Sequence, residues 1–282
     1  MTLLTLAAAQ SVSIAGDLPT NLAGHQRLMR LAAQQGVQLL VFPELSLTGY
    51  EPQLAAELAL APDSPVLQPL RDLARELQMT TVVGLPIRLV DDGPVLIGAL
   101  VLGGDGSLAV YSKQHLHPGE ERAFAAGSGG APLAFAEHQV ALAVCADFSH
   151  ASHVQAAAQA GADVYAAGVL ISEGGYAVDG TLLQGYAREH GLLVLMANHG
   201  GPSGGWTCAG RSAAWGPREN CWQRWAGSVR RCCWFEAVPG SGRPKCCGWL
   251  GERLRTAPGP GGRPGLRPGA DLFRHAALLH PS

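Results

Sequence analysis

A cysteine at the end of an apolar run is the residue of this chain best suited to covalent chemistry. Cys145 follows the strand-like run Val140–Val144 and precedes a segment that reads as a helix. Such a turn exposes its side chain at the edge of a sheet, close to backbone N–H groups and a helix N-terminus that favour a thiolate and a developing oxyanion. Free cysteine is often only a small buried hydrophobe, so position alone leaves a structural role equally open.

Two further residues favour the catalytic interpretation. Lys113 is the only lysine among the nine basic residues of positions 1–215, and it follows the strand-like stretch Leu108–Tyr111. Lysine is a compact point charge and arginine a planar fork, so this single use of lysine indicates a reacting centre. Glu44 follows a buried strand and lies among apolar neighbours, a setting that disfavours its charged form and suits a general base near neutral pH.

Three short blocks surround these residues. They are Pro-Glu-Leu-Ser-Leu-Thr-Gly-Tyr at 43–50, Tyr-Ser-Lys-Gln-His-Leu at 111–116 and Val-Cys-Ala-Asp at 144–147. In this order and at these separations they resemble the signature blocks of the nitrilase, or carbon–nitrogen hydrolase, superfamily. The resemblance covers roughly residues 2–216. It implies an αββα sandwich and a catalytic triad of Glu44, Lys113 and Cys145.

The resemblance also implies a reaction. Glu44 takes the proton of Cys145, whose sulfur attacks an amide or nitrile carbon and forms a thioester-type intermediate. Lys113 and the backbone N–H of Ala146 hold the oxyanion, and Glu44 then activates water. We expect no metal and no organic cofactor.

Family members usually carry a second glutamate after the lysine. Glu120 and Glu121 are both available, and the spacing to Phe124 and Gly127 favours Glu120, with Glu121 as the alternative. We expect the chosen glutamate to position Lys113 and the substrate and to tune proton transfer.

The histidines offer a competing interpretation. Imidazole is a common general base and metal ligand, so a Cys-His hydrolase or a metal site is an alternative. The candidate histidines are His115, His117, His150 and His153. No motif supplies a third metal ligand, however, and His199 lies in a predicted loop. These alternatives also leave Lys113 without a role, so we prefer the Glu-Lys-Cys interpretation.

Hydrophobic periodicity predicts alternating strands and helices over the first 215 residues. The predicted strands are Leu3–Ala9, one from Leu39, Thr80–Gly84, the hairpin Val95–Leu102 and Leu108–Tyr111, Val164–Val169 and Leu192–Ala197. The predicted helices are one capped by Thr20 or Asn21, one from Ser64 or Pro65 to Leu77, Ser152–Ala160 and Leu182–His190. This alternation is typical of a layered α/β fold.

The sequence also indicates where the protein is located in the cell and which partners it binds. No charged start precedes a cleavable apolar core, and no uncharged apolar stretch is long enough to span a bilayer. We therefore expect a cytoplasmic enzyme whose partners are a small-molecule amide substrate and water, without nucleic acid or membrane. The family resemblance implies a homodimer, provided that the C-terminus permits one.

The chain changes character after Trp215. Residues 1–215 carry nine basic and eighteen acidic side chains, whereas residues 216–282 carry eleven basic, four acidic and five of the seven cysteines. A nucleic-acid-binding tail, a cysteine site in adjacent pairs and a flexible Pro/Gly-rich arm are all compatible with this composition.

A shifted reading frame explains the same composition more simply. Cysteine and tryptophan codons begin with TG, so a change of frame converts residues 220–223 to Leu-Leu-Ala and residues 231–235 to an apolar run. We therefore expect a carbon–nitrogen hydrolase domain at 1–217 whose closing strand is lost. Residues 218–282 then form a frameshifted, disordered tail without function.

The favoured function is hydrolysis of a non-peptide carbon–nitrogen bond in a small linear amide, an ω-amide or an N-carbamoyl amine. Nitriles are the less favoured substrates, a preference that rests on family analogy alone. An inactive or binding-only member of the same fold is the alternative, because of the damaged C-terminus. Glu173–Tyr176 and Gly204–Trp206 are candidate pocket segments.

Overall fold

Apolar residues alternate along the first strand and divide the molecule into layers. β1 spans Leu4–Gln10. Its residues Leu4, Leu6 and Ala8 face one buried cluster, whereas Ala7 and Ala9 face another. Successive side chains of a strand point to opposite faces, so this strand is covered on both sides.

The computed structural model describes residues 4–135 and 137–217, together with the backbone of 231–237 and 245–251. The other strands are β2 (Leu39–Val41), β3 (Thr80–Ile87), β4 (Leu96–Leu102), β5 (Leu108–Ser112), β6 (Leu133–Phe135), β7 (His138–Val144), β8 (Val164–Val169), β9 (Leu193–Asn198), β10 (Ala213–Trp215), β11 (Arg231–Ala237) and β12 (Lys245–Gly251). The helices are α1 (Leu18–Ala33), α2 (Ala55–Leu58), α3 (Gln68–Glu76), α4 (Ala151–Gln159) and α5 (Tyr176–His190).

Two mixed sheets lie between the helices. The first has the strand order β12-β11-β1-β2-β3-β4-β5, and the second has the order β10-β9-β8-β7-β6. The inner faces of the sheets share one hydrophobic cluster, while α1 and α3 cover the first sheet and α4 and α5 the second. The predicted αββα sandwich is therefore confirmed. Within the described part of the chain, no helix has the length and apolar character needed to cross a membrane.

Most predicted elements are present, and two begin elsewhere than expected. Helix α1 is capped by Asp17, whose carboxylate accepts the N–H of Thr20 at 3.1 Å. Helix α5 begins at Tyr176, six residues before the predicted start at Leu182. The buried Tyr176 ring anchors this first turn, because its hydroxyl donates to the Arg211 carbonyl at 2.8 Å.

The structure describes the backbone of two segments of the predicted tail. β11 pairs antiparallel with β1 over seven residues, and β12 pairs with β11. Without β11, the backbone groups on one side of β1 would lack partners, and the Cys, Trp and Phe residues of 231–235 favour extended structure. A strand therefore lies beside β1, and the loss of the original closing strand stays a prediction. The rest of the predicted tail, 218–230, 238–244 and 252–282, lies outside the described residues.

Candidate active site

The ends of three strands bring the predicted catalytic residues together. Glu44 follows β2, Lys113 follows β5 and Cys145 follows β7. The Nζ atom of Lys113 lies 2.7 Å from Oε1 of Glu44, and all three residues are in or directly beside one cavity. Glu44 and Lys113 are separated by 69 positions in the sequence, and Lys113 and Cys145 by 32. The fold brings them into one cluster at the strand ends.

The loop that carries Glu44 is held by close backbone contacts from both sheets. A Cβ atom on Gly84 of β3 would lie 2.4 Å from the backbone of this loop, and one on Gly168 of β8 would lie 2.6 Å from it. His199 approaches from the end of β9, and its Nε2–H donates to the Glu44 carbonyl at 2.7 Å. Burial lowers the pKa of His199 to about 4, so the ring is neutral and holds Glu44 as a hydrogen-bond donor.

Lys113 is fully buried between two carboxylates. Its Nζ atom lies 2.7 Å from Glu44 and 2.9 Å from Glu120. Burial on its own would lower the pKa of Lys113, but the charges of Glu44, Cys145 and Glu120 together raise it above the ordinary value. The ammonium is therefore charged at neutral pH and available to stabilise negative charge.

The structure brings Glu120, and not Glu121, to Lys113. Glu120 is buried and also accepts the Tyr50 hydroxyl at 2.9 Å and the His117 N–H at 2.8 Å. Glu121 is exposed and accepts the backbone N–H of Gly119 at 2.7 Å. Two successive glutamates thus point to different environments, because the short 3₁₀ turn Glu120–Arg122 turns the chain between them.

Cys145 occupies the strand-to-helix turn that the sequence predicts. Its φ angle of 42° is left-handed, and a 3₁₀ helix, Cys145–Ser149, follows directly. A left-handed residue that is not glycine is strained, and such strain is found where a side chain must be presented to a site. The Cys145 Sγ contacts the Leu170 carbonyl oxygen at 3.6 Å and lies on the cavity wall.

The expectation that this turn favours a thiolate is wrong for the resting site. Burial, followed by the neighbouring charge of Glu44, raises the pKa of the Cys145 thiol well above its ordinary value. Lys113 opposes this effect without reversing it. The thiol therefore needs a base that removes its proton during attack.

Glu44 has the properties of that base. Burial raises the pKa of Glu44, the Lys113 charge lowers it, and the Glu120 charge raises it further, so that the net shift is upward. Its Oε1 atom contacts Lys113, whereas its buried Oε2 atom has no hydrogen-bond partner among the described residues. One carboxylate oxygen is thus free to accept a proton beside the thiol.

The catalytic cavity has a volume of about 330 Å³. Ala146, the predicted oxyanion donor, lies on its wall next to Cys145 and in the first turn of a 3₁₀ helix, where backbone N–H groups lack helical partners. Apolar and small residues of the wall are Phe148, Leu170, Ile171, Gly175 and Trp206, and polar ones include Tyr50, His117, Ser149, Ser172 and Asp179.

Sequence reasoning missed Tyr50, Asp147 and Asp179. Tyr50 and Asp147 belong to the quoted blocks, but nothing in the pattern shows that Tyr50 contacts Glu120 or that Asp147 accepts backbone N–H groups from another loop. Asp179 precedes Leu182, the predicted start of α5, so the sequence pattern does not place it on that helix. Both pocket segments do contribute, since Gly175 and Trp206 line the cavity.

Three of the four histidines, His115, His150 and His153, contact one another outside the cavity, whereas His117 lies on its wall. His115 stacks on His150 with ring centroids 3.9 Å apart, and His153 hydrogen-bonds the hydroxyls of Tyr111 and Tyr165. Among residues 4–217 apart from 136, no group of three His, Cys, Asp or Glu side chains is arranged to hold a metal ion. These contacts support a packing role for the histidines rather than a Cys-His or metal site.

The chain is similar to known proteins. The model of the carbon–nitrogen hydrolase family matches residues 5–221. A nitrilase from Pyrococcus abyssi (strain GE5 / Orsay) is 32% identical over 154 residues, 52% of this chain and 57% of the relative, so the chain spans little more than half of that relative's length.

Solved structures of an amidase from Nesterenkonia sp. AN1 are similar over most of the chain. A double mutant of that amidase in complex with acrylamide is 28% identical, with a TM-score of 0.75, covering 85% of this chain and 92% of the other. A cysteine-to-alanine mutant in complex with butyramide is 29% identical, with a TM-score of 0.74, covering 83% and 90%. A further mutant carries the acetamide moiety of fluoroacetamide on its active site cysteine.

Proposed function

The chain belongs to the carbon–nitrogen hydrolase family, and we propose that it hydrolyses small linear amides through a covalent intermediate on Cys145. The observation that carries this proposal is the cluster at the cavity. A thiol whose pKa is raised lies beside a carboxylate with one oxygen that has no hydrogen-bond partner among the described residues, and a buried ammonium lies 2.7 Å from the same carboxylate. A nucleophile, a base and a positive charge are the groups that acyl transfer requires.

In the first half-reaction, Cys145 attacks the amide carbon while its proton passes to Glu44. The carbonyl oxygen becomes an oxyanion, which Lys113 and the N–H of Ala146 stabilise. Glu44, now protonated, gives its proton to the leaving nitrogen. The carbon–nitrogen bond breaks, ammonia leaves and a thioester remains on Cys145.

In the second half-reaction, Glu44 takes a proton from water, and the hydroxide attacks the thioester carbon. The oxyanion forms in the same position, the carbon–sulfur bond breaks and Cys145 recovers its proton from Glu44. The products are a carboxylic acid and the free enzyme. Glu120 keeps Lys113 in place throughout, because its carboxylate accepts a hydrogen bond from the ammonium at 2.9 Å.

Small amides fit the proposed site better than large ones. A cavity of about 330 Å³ is at the small end of the range for ligand sites. The similar amidase was solved with acrylamide and with butyramide, which supports linear amides as the first substrates to test. N-carbamoyl amines present the same carbonyl and nitrogen, and nitriles remain the less favoured class. A homodimer and a cytoplasmic location remain predictions.

The decisive experiment is an ammonia-release screen over linear amides, N-carbamoyl amines and nitriles. Cys145→Ala should abolish ammonia release while the protein stays folded. Cys208→Ala is the matched control, because Cys208 is the second free cysteine of the described residues, and this variant should stay active.

Mass spectrometry then tests the intermediate. Fluoroacetamide should add to Cys145 in Glu44→Gln and not in Cys145→Ala. Activity that survives Cys145→Ala would overturn the mechanism. A folded chain that binds amides and releases no ammonia would instead support the binding-only alternative.

A further inference from the structure

The carboxylate of Asp179 lies on the wall of the catalytic cavity and takes no part in the proposed reaction. Asp179 belongs to the first turn of α5. Its side chain has no hydrogen bond or ion pair with any residue that the structure describes, and partial burial raises its pKa. A cation entering the cavity would therefore find an unpaired and partly desolvated carboxylate, the setting in which an ion pair is strongest.

The rest of the wall does not balance this charge. Among the described lining residues, three are carboxylates (Glu44, Glu120 and Asp179) and none is lysine or arginine. Lys113 is fully buried behind the wall, and its ammonium is shared by Glu44 and Glu120. The cavity thus has an excess of negative charge, which disfavours substrates that carry a carboxylate at the far end.

Asp179 and Cys145 lie against the same stretch of the cavity wall, residues 170–175. The Cys145 sulfur contacts the Leu170 carbonyl at 3.6 Å. A Cβ atom on Gly175 would lie 3.1 Å from Oδ2 of Asp179 and 3.5 Å from Oγ of Ser172, so this carboxylate lies close to Ser172. Ser172 is two residues beyond Leu170, and two residues of extended chain span at most about 7 Å. Asp179 and Cys145 both line one cavity of about 330 Å³, so the linker between the reacting carbonyl and the ammonium must be a short chain.

We propose that Asp179 selects substrates that carry an amide or N-carbamoyl group at one end and an ammonium group at the other. The reacting carbonyl lies at Cys145, the alkyl chain runs along Ile171 and the half-exposed Trp206 ring, and the ammonium pairs with Asp179. This inference rests on the proposed amide hydrolysis and names its substrate class. It removes ω-amides with a terminal carboxylate from the preferred set.

Three amides of matched length test the selectivity. Pentanamide is neutral, 4-aminobutanamide places an ammonium where pentanamide has its methyl group, and succinamate carries a carboxylate at that end. We expect kcat/KM of the full-length enzyme to be highest for 4-aminobutanamide and lowest for succinamate. Equal values for the first two amides, or a preference for succinamate, would overturn the proposal.

Asp179→Asn separates selectivity from folding. We expect kcat/KM for 4-aminobutanamide to fall roughly 10- to 100-fold, mainly through KM, because a hydrogen bond to a charged group is lost far from the reacting carbon. The loss for pentanamide should be much smaller, and the remaining hydrolysis of this amide shows that the variant is folded. Glu189→Gln removes the same charge from the other end of α5, at an exposed position, and should change neither amide. An equal loss for both amides in Asp179→Asn would indicate a structural role and contradict the proposal.

Binding to Cys145→Ala distinguishes the failure of this inference from failure of the proposed function. Calorimetric titration of this variant with the three amides measures charge selectivity without turnover. Selective binding of 4-aminobutanamide together with no hydrolysis in the wild type would refute the proposed function and leave the cation site intact. Hydrolysis of all three amides without selective binding would refute only the cation site.

Discussion

At the scale of single residues, the site contains two buried carboxylates but only one buried ammonium among the described residues. One ammonium, Lys113, lies within 2.9 Å of two carboxylates, Glu44 and Glu120. Removing ions from water costs several kcal/mol for each ion, so the second carboxylate is retained only because it is also hydrogen-bonded. Glu120 meets that condition through Tyr50 and the N–H of His117. We infer that Glu120 fixes the ammonium where Glu44 alone would leave it free to move.

Glu120→Gln should therefore lower kcat by about 100-fold or more, because a Lys113 ammonium held by Glu44 alone is poorly oriented toward the oxyanion. The matched control is Glu121→Gln, which makes the same change one residue further along the chain. Glu121 is exposed and accepts the backbone N–H of Gly119 rather than contacting Lys113, so kcat should be unchanged. The measurement is the steady-state kcat of both variants on a neutral amide. Equal effects in the two variants would contradict the assignment of Glu120.

The pH profile gives a second test at this scale. Glu44 acts as a base only when ionised, and burial together with the Glu120 charge raises its pKa. Activity should therefore be lost, as pH falls, at a pH above the ordinary glutamate value of about 4.3. Glu120→Gln removes a like charge, so the acid limb of kcat/KM for a neutral amide should move to lower pH. An unmoved limb would show that the two carboxylates do not interact.

At the scale of elements, a single buried aspartate joins the nucleophile turn to the lysine loop. Asp147 accepts the backbone N–H groups of Val144 at 3.0 Å, Gln114 at 3.0 Å and His115 at 2.8 Å. It also accepts the Tyr111 hydroxyl at 2.7 Å. The ends of β5 and β7 belong to different sheets, so Asp147 sets the distance between Lys113 and Cys145.

Asp147→Asn should destabilise the protein by about 2 to 4 kcal/mol and lower kcat more than it raises KM. An amide group cannot accept all of these donors, since its nitrogen is itself a donor. Asp163→Asn is the control, because Asp163 accepts the N–H of Gln139 at the start of β7 and its side chain is 45% exposed. Urea unfolding and amide kinetics measure both effects, and a kcat equal to that of Asp163→Asn would count against the positioning role.

Local pattern predicts the elements of this fold well and their side-chain contacts poorly. The run Val164–Val169 is a strand with the predicted bounds, because apolar residues covered on both faces leave few alternatives. The start of α5 was misplaced because Gly175 and Gly180 weaken the helical pattern, whereas the Tyr176 contact that fixes the first turn is tertiary. For the same reason the sequence identifies Glu44 and Cys145 as reactive types but gives neither the Asp147 contacts nor the raised thiol pKa.

At the scale of the whole molecule, the tail and the first strand depend on one another. We continue to propose that the residues after 217 come from a shifted frame and supply no catalytic group. The strand pairing is compatible with that origin, because the stretch 231–235 is rich in strand-forming residues as written and becomes an apolar run when the frame is shifted. Resequencing the gene tests this origin: an uninterrupted frame that encodes this tail in independent isolates would sink it.

Backbone pairing gives this tail a structural role even if its side chains were never selected for one. β1 lies between β2 and β11, and β11 pairs with every residue from Leu4 to Gln10. A chain that ends at Pro217 loses this strand, and β1 becomes an exposed edge with unpaired N–H and C=O groups. A chain that ends at Glu252 keeps β11 and β12.

We therefore expect the chain ending at Glu252 to match the full chain in Tm and in amide hydrolysis. The chain ending at Pro217 should lose roughly 10 °C or more in Tm and should aggregate, because seven residues of strand pairing are removed. Thermal unfolding and light scattering of both truncations provide the measurement. Equal stability of the two would show that β11 contributes nothing to the fold. If the chain ending at Pro217 is less stable, as we expect, then backbone hydrogen bonds and strand propensity are enough to place a strand beside β1. The side chains of that strand need not have been selected for packing.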